Sequence, residues 1–275
     1  MKKSGAAVLI MLLLLTGCGD TLDEKHIEER QTEKTSQTEE QEQIPTGNTE
    51  VQLENSVEKY SAETEQQRYA LNLPEAYRSK IDEIDDYIHR RMEEGRIWED
   101  DESFTQEEYS ALDEPLIGKK SAECALFHFG YALHDIDGNG VDELIFAYDP
   151  GYGGSNVSLI YTMQNDNAIW LISGWSRCRV TFDEDGFIYN MGSSGAADNI
   201  YAVYAIGEDE SSLKVRDYYF SGGWDDENWY HNTTGNEDKA ESEILGGENV
   251  WEQFDEEFDQ KTNINLELEY LIDYE

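Results

Sequence analysis

The sequence is poor in basic residues and in cysteine, and each shortage excludes a class of protein. Lys and Arg number 20 against 61 Asp and Glu, which gives a formal net charge of −41. Because nucleic-acid phosphates and anionic headgroups are bound mainly through Lys and Arg, we expect no nucleic-acid partner. The three cysteines show no Cys-x-x-Cys or Cys/His spacing typical of a zinc or redox site. Apart from Cys18, only Cys124 and Cys178 are present, so these two either pair or remain thiols.

Recognisable catalytic motifs are also missing. The chain has no Gly-x-Ser-x-Gly elbow, no His-Glu-x-x-His and no glycine-rich phosphate loop with its lysine. His128 and His134 fall on one face of a predicted strand but about 20 Å apart, too far to share a metal. The sequence therefore favours a protein that is not an enzyme. The alternative is a secreted hydrolase of carbohydrate or cell-wall material, whose carboxylate pair is hidden among so many acids.

Long apolar runs are confined to the N-terminus. Lys2 and Lys3 precede an apolar run over residues 6–15 that closes on Thr16, Gly17 and Cys18. This run is shorter than the roughly 20 residues that a helix needs to cross a bilayer, so it predicts a removed signal peptide over residues 1–17. The residues Leu15-Thr16-Gly17-Cys18 resemble the lipobox of bacterial lipoproteins. The resemblance implies a lipid on Cys18 and a membrane anchor at the outer face of the cell membrane; the alternative is an ordinary secretory signal with an incidental cysteine.

Two segments separate this signal from the folded part of the chain. Residues 18–66 are rich in Glu, Gln, Thr and Ser, and they predict a disordered acidic linker of the kind common in Gram-positive lipoproteins. Residues 67–121 predict a helical segment. Within it, apolar side chains recur at helical spacing from Glu75 to Glu94, and Gly95 is placed to end the helix. We expect this amphipathic helix to pack on the domain that follows.

Residues 122–275 predict a β-rich domain. Short runs rich in Val, Ile, Phe, Tyr and Trp are separated by Asn/Asp/Gly connectors, which are too short for the helical crossovers of a parallel sheet. The predicted fold class is α+β, with a predominantly antiparallel β meander that forms a sandwich, an open barrel or a curled sheet. A closing helix is predicted around residues 250–258, and residues 266–272 fit either a strand or a frayed helix. The strands are predicted near residues 125–134, 143–148, 156–163, 168–174, 177–182, 187–191, 200–206, 213–220 and 228–231.

One motif stands out against this background, at residues 135–143. Side-chain oxygens fall at positions 1, 3 and 5 of a loop, with Gly140 at position 6 for a sharp turn. Oxygen donors in this number suit calcium. The alternative is an Asn-Gly hairpin turn whose acids face water. The predicted calcium ligands are Asp135, Asp137, Asn139, the Val141 backbone carbonyl and Glu143.

The surroundings of this loop favour a strand-loop-strand setting. Position 12, where an EF-hand has a bidentate glutamate, is Phe146, and both flanks have the pattern of strands. The loop resembles the calcium-binding hairpin of integrin-type propeller repeats. It resembles more closely the Asp-Ile-Asp-Gly-Asn-Gly-x-x-Glu-Leu segment of secreted and lipid-anchored Clostridial proteins of unknown function. The resemblance implies a structural calcium ion and no particular activity.

A second candidate site is aromatic. Trp224, Trp229 and Tyr230 lie near a Gly-Gly pair and two aspartates, so they could form a platform for a carbohydrate or protein ligand, or belong to the core. Together, these patterns predict a surface-tethered lipoprotein with a calcium-stabilised β-rich domain, which acts as a binding or structural module.

Overall fold

The computed structural model describes residues 73–95, 103–149, 155–193, 198–209, 211–247, 249–261 and 266–274. The predicted signal peptide, Cys18 and the linker over residues 18–66 lie outside the described residues, and the predictions about them stay predictions. Within the described ranges, no helix is both long and apolar enough to cross a bilayer.

Within the described residues, three α-helices precede the sheets. Helix α1 is Glu75–Glu94, and it ends at Gly95, whose φ of 86° is one that glycine adopts readily. Helix α2 is Gln106–Asp113, which Thr105 and Glu108 begin with a reciprocal capping box. A 3-10 turn, Glu114–Leu116, follows it, and helix α3 is Ala122–Leu126. The amphipathic helix predicted from the apolar periodicity is therefore confirmed with its predicted bounds.

The described strands form two antiparallel sheets. The strands are β1 Phe129–His134, β2 Glu143–Tyr148, β3 Asn156–Gln164, β4 Asn167–Ser173, β5 Cys178–Phe182, β6 Phe187–Ser193, β7 Asn199–Ile206, β8 Leu213–Ser221, β9 Trp229–Asn232, β10 Glu243–Gly246 and β11 Glu269–Tyr270. In sheet A the order is β11-β1-β2-β3-β4, and in sheet B it is β10-β9-β8-β7-β6-β5. Neighbours in each sheet are mostly consecutive in the chain, which confirms the predicted α+β meander.

The sheets and helices stack in layers because successive side chains of a strand point to opposite faces. On β2, Leu144 and Phe146 pack with α1, α2 and α3, whereas Ile145 points into the core between the two sheets. The opposite face of that second core is formed by β5, β6 and β7, including Phe182 and Ile188. Ile136, from the loop at residues 135–143, also packs in this inter-sheet core.

Helix α4, Val250–Lys261, confirms the predicted closing helix, and it packs on the outer face of sheet B. The Phe254 ring stacks on Tyr201 at a centroid distance of 4.5 Å, and Phe258 is fully buried. Arg179 of β5 lies over the Phe258 ring and pairs with Asp255 of the same helix. Apolar stacking and an ion pair thus hold α4 on the sheet.

The structure differs from the predicted elements in two places. The strand predicted near residues 125–134 begins only at Phe129, because the Ser121 side chain accepts the Cys124 N–H and starts helix α3 in a run of good helix formers. Strand β10 is absent from the predicted elements. Residues 266–272 fit either a strand or a frayed helix by their sequence pattern. In the structure they include the short strand β11, which is followed by a 3-10 turn, Leu271–Asp273.

Cys124 and Cys178, which could pair or remain thiols, are both free thiols.

Candidate metal centre

The loop at residues 135–143 is the turn of the β1–β2 hairpin. His134, the last residue of β1, pairs with Glu143, the first of β2, so the two strand ends fix both ends of the loop. Ile136 is buried in the core between the sheets and anchors the loop there. Gly138 and Gly140 have φ values of 73° and 88°, in the left-handed region that favours glycine. The loop is therefore held by strand pairing and packing as well as by its own turn.

This turn brings three of the predicted ligands together. Carboxylate oxygens of Asp135, Asp137 and Glu143 all lie within 4.8 Å of one another. Asp135 accepts the backbone N–H groups of Asn139 at 3.0 Å and Gly140 at 2.9 Å. Asp137 accepts the Asn139 N–H at 3.1 Å. These bonds keep the first two carboxylates close to the loop interior.

Glu143 differs from the two aspartates because its side chain is fully buried, with 0% exposure. Its carboxylate accepts the Ile136 N–H at 2.8 Å and the Thr162 hydroxyl at 3.1 Å. Burial raises the pKa of Glu143 to about 7; the Asp137 and Asp135 charges add to the increase, while the two hydrogen bonds oppose it. No ion pair joins Glu143 to a Lys or Arg in the described parts of the chain.

The remaining predicted ligands lie in the same turn. The Asn139 side chain donates to Asp137 at 3.3 Å and accepts the Val141 N–H at 2.6 Å. Its amide nitrogen thus lies against the Asp137 carboxylate while its amide oxygen faces the Val141 N–H, and the Val141 side chain faces solvent. The donors are all oxygens and are mostly anionic, which suits a hard cation such as calcium rather than zinc or copper. Ligation by Asn139 and by the Val141 carbonyl stays a prediction.

Three contacts to the loop come from distant parts of the chain. Thr162 of β3 donates to Glu143, and Tyr77 of α1 donates to the Asp142 carbonyl at 2.8 Å. Gly186, in the β5–β6 turn, lies so close to the loop backbone that a Cβ added to it would be 3.1 Å from the Ile136 carbonyl oxygen. No spacing in the sequence points to Thr162 or Tyr77. The Asp-Gly dipeptide predicts the turn at Gly186, but not its packing against the loop.

The aromatic candidates do not share a surface. Trp229 is buried under α4, with its ring 6.0 Å from Trp251. Tyr230 points to the opposite face of β9 and stacks on Phe220. Trp224 is 79% exposed. The predicted platform of Trp224, Trp229 and Tyr230 is therefore wrong as a single surface, because neighbouring residues of a strand face opposite sides of the sheet. Trp224 alone stays accessible to a ligand.

Comparison with protein-family models, with curated proteins and with solved structures found no match to this chain. The loop geometry and the burial of Glu143 therefore carry the functional argument.

Proposed function

We propose that this protein is a lipid-anchored surface protein whose β-rich domain binds calcium in the loop at residues 135–143 and acts as a binding or structural module. The observation that carries the calcium site is the convergence of Asp135 and Asp137 on Glu143, a fully buried carboxylate without a Lys or Arg partner among the described residues. A buried negative charge needs either a proton or a cation. Calcium supplies the cation from the exterior of the cell.

The chemistry of the donors supports a structural role for the ion. Calcium accepts six to eight oxygen ligands in irregular geometry, so water can complete a set supplied by one short loop. All the proposed ligands lie in one continuous segment, and a divalent cation offsets the repulsion among their charges. Because calcium binds the folded loop and not the unfolded chain, it stabilises the fold by mass action.

Calorimetric titration of calcium into the purified chain tests this site. We expect a single calcium per chain, and we expect Asp137→Asn to weaken binding by about tenfold or more, since it removes a charged ligand at small steric cost. Asp209→Asn is the matched control. Asp209 is a turn aspartate that accepts hydrogen bonds from the Ser211 N–H and the Ser212 hydroxyl, so its replacement removes the same charge elsewhere. Absence of binding by the parent, or equal affinity in all three proteins, contradicts the proposal.

The lipid anchor is tested separately, by cell fractionation of the full chain expressed in a bacterium. We expect the parent in the membrane fraction and Cys18→Ser in the soluble or secreted fraction, because one thiol would carry the lipid. Cys124→Ser serves as the control and should fractionate like the parent. Membrane association that survives Cys18→Ser would contradict the anchor.

A further inference from the structure

Tyr77 connects helix α1 to the proposed calcium loop at residues 135–143, across 65 residues of sequence. Its hydroxyl donates to the Asp142 carbonyl at 2.8 Å, and its ring is 2% exposed in the core formed with Ile81 and Ile84. A buried side chain in close packing has little freedom to move its hydroxyl. The phenol therefore fixes the carbonyl that it contacts relative to α1.

The Asp142 carbonyl lies in the part of the loop that supplies two of the proposed calcium ligands. Asp142 lies between Val141, whose carbonyl is a proposed ligand, and Glu143, the buried carboxylate. Burial raises the pKa of Tyr77 well above its usual value, and the charges of Glu143 and Asp142 raise it further. The phenol consequently remains a hydrogen-bond donor at physiological pH. Its proton is directed at the backbone immediately before Glu143.

We propose that Tyr77 is a positioning residue for the calcium loop, so that calcium binding and the packing of α1 on the domain stabilise each other. The inference rests on the proposed calcium site and names the element that responds to it. Coupling between two equilibria is reciprocal: if α1 packing favours calcium, calcium favours α1 packing to the same extent. Since α1 is the first described helix after the predicted linker, calcium strengthens the attachment of the helix through which the tether enters the domain.

Tyr77→Phe tests this coupling because it removes only the hydroxyl. Tyr87→Phe is its matched control, since Tyr87 is also buried on α1 and donates a hydrogen bond of 3.0 Å, but to Asp113, outside the loop. By calorimetry, we expect Tyr77→Phe to weaken calcium binding about three- to tenfold, the loss that one hydrogen bond predicts. Tyr87→Phe should leave the calcium affinity within about twofold of the parent, even if it lowers the melting temperature as much as Tyr77→Phe does.

Hydrogen exchange of the parent gives the reciprocal measurement without any substitution. Calcium should slow amide exchange in α1 as well as in the β1–β2 hairpin, and the effect on α1 should be smaller in Tyr77→Phe. Equal calcium affinity in Tyr77→Phe and the parent overturns the coupling, as does equal weakening by both variants. Calcium protection that stops at the hairpin in the parent overturns it too. If the parent binds no calcium at all, the proposed function itself has failed.

Discussion

Glu143 determines how the loop behaves without calcium, because it is a fully buried acid. The charges that face it are those of Asp135 and Asp137 in its own loop. The Tyr77 phenol of α1 is also close to it, and the Glu143 charge raises the pKa of that phenol. Neither aspartate can neutralise it, so the calcium-free protein must bury a charge or bind a proton. A pKa of about 7 means that both forms are populated near neutral pH.

This residue gives a pH dependence with a definite sign. The folded-state pKa of about 7 lies above the ordinary glutamate value of 4.5, so between these pH values the folded protein binds more protons than the unfolded chain. In calcium-free buffer, the contribution of Glu143 to the free energy of unfolding should therefore fall as pH rises from about 4.5 to 7 and stay low above that. The loss should be on the order of 2 to 3 kcal/mol.

Urea unfolding at pH 5 and pH 7.5 measures this contribution. Many other acids titrate in the same range, so the informative quantity is the difference between the parent and Glu143→Gln. We expect the free energy of unfolding of Glu143→Gln to fall less between the two pH values. The exposed residue Glu241 provides the control substitution, Glu241→Gln, which should follow the parent. The same pH dependence in all three proteins would show that Glu143 is not a buried acid of raised pKa.

The residues of the site were predictable from the sequence only where they are local. Asp135, Asp137 and Glu143 belong to one short loop, so their spacing alone indicated that their oxygens converge. Thr162 and Tyr77 reach the loop through β-sheet pairing and helix packing, which no local pattern encodes. The aromatic platform was wrong for a related reason, because proximity along β9 does not show which side of the sheet α4 covers.

At the level of elements, the loop at residues 135–143 lies where the β1–β2 hairpin meets the β5–β6 hairpin. Gly186, in the β5–β6 turn, approaches the loop backbone at Ile136 and Asp137, and its φ is 83°. The two sheets thus contact each other at Asp137, a proposed ligand, and at its neighbour Ile136. A substitution in the β5–β6 turn should therefore alter the calcium affinity of the loop.

Gly186→Ala should destabilise the protein and weaken calcium binding. The new Cβ would lie 3.1 Å from the Ile136 carbonyl oxygen and 3.3 Å from the Asp137 Cα, so the loop must move in addition to the cost of the left-handed backbone. We expect a loss of about 2 to 3 kcal/mol in urea unfolding, with a lower calcium affinity by calorimetry.

Gly118→Ala separates the two effects. Gly118 has a similar φ of 77°, but a Cβ there would meet nothing within 4 Å. Its replacement should cost only about 1 kcal/mol and leave calcium affinity unchanged. Equal effects of the two substitutions on calcium binding would mean that the β5–β6 turn does not support the site.

The elements themselves were predictable where patterns were long or turns were clear. Helix α1 repeats its apolar positions over twenty residues, and the strands from β2 to β9 are separated mainly by Asn/Asp/Gly connectors. Helix α3 was missed because it is only five residues long and its start depends on the Ser121 cap. Strand β10 is as short as β9 and is recognisable only by its pairing with that strand.

At the scale of the whole molecule, the part of the chain that the structure describes forms two sheets and four α-helices, which pack around shared hydrophobic cores. The full chain carries a net charge of −41. Self-repulsion of this size weakens the compact state. Calcium could act on such a chain by general screening or by occupying one site. Only occupation of the loop depends on Asp137.

Thermal unfolding in calcium and in chelator, at matched ionic strength, tests the account most directly. With calcium at about a hundred times its dissociation constant, we expect the parent to melt roughly 5 to 10 °C higher than in chelator. Asp137→Asn should show little of this increase, and Asp209→Asn should show all of it. An identical melting temperature for the parent in calcium and in chelator would contradict the calcium site.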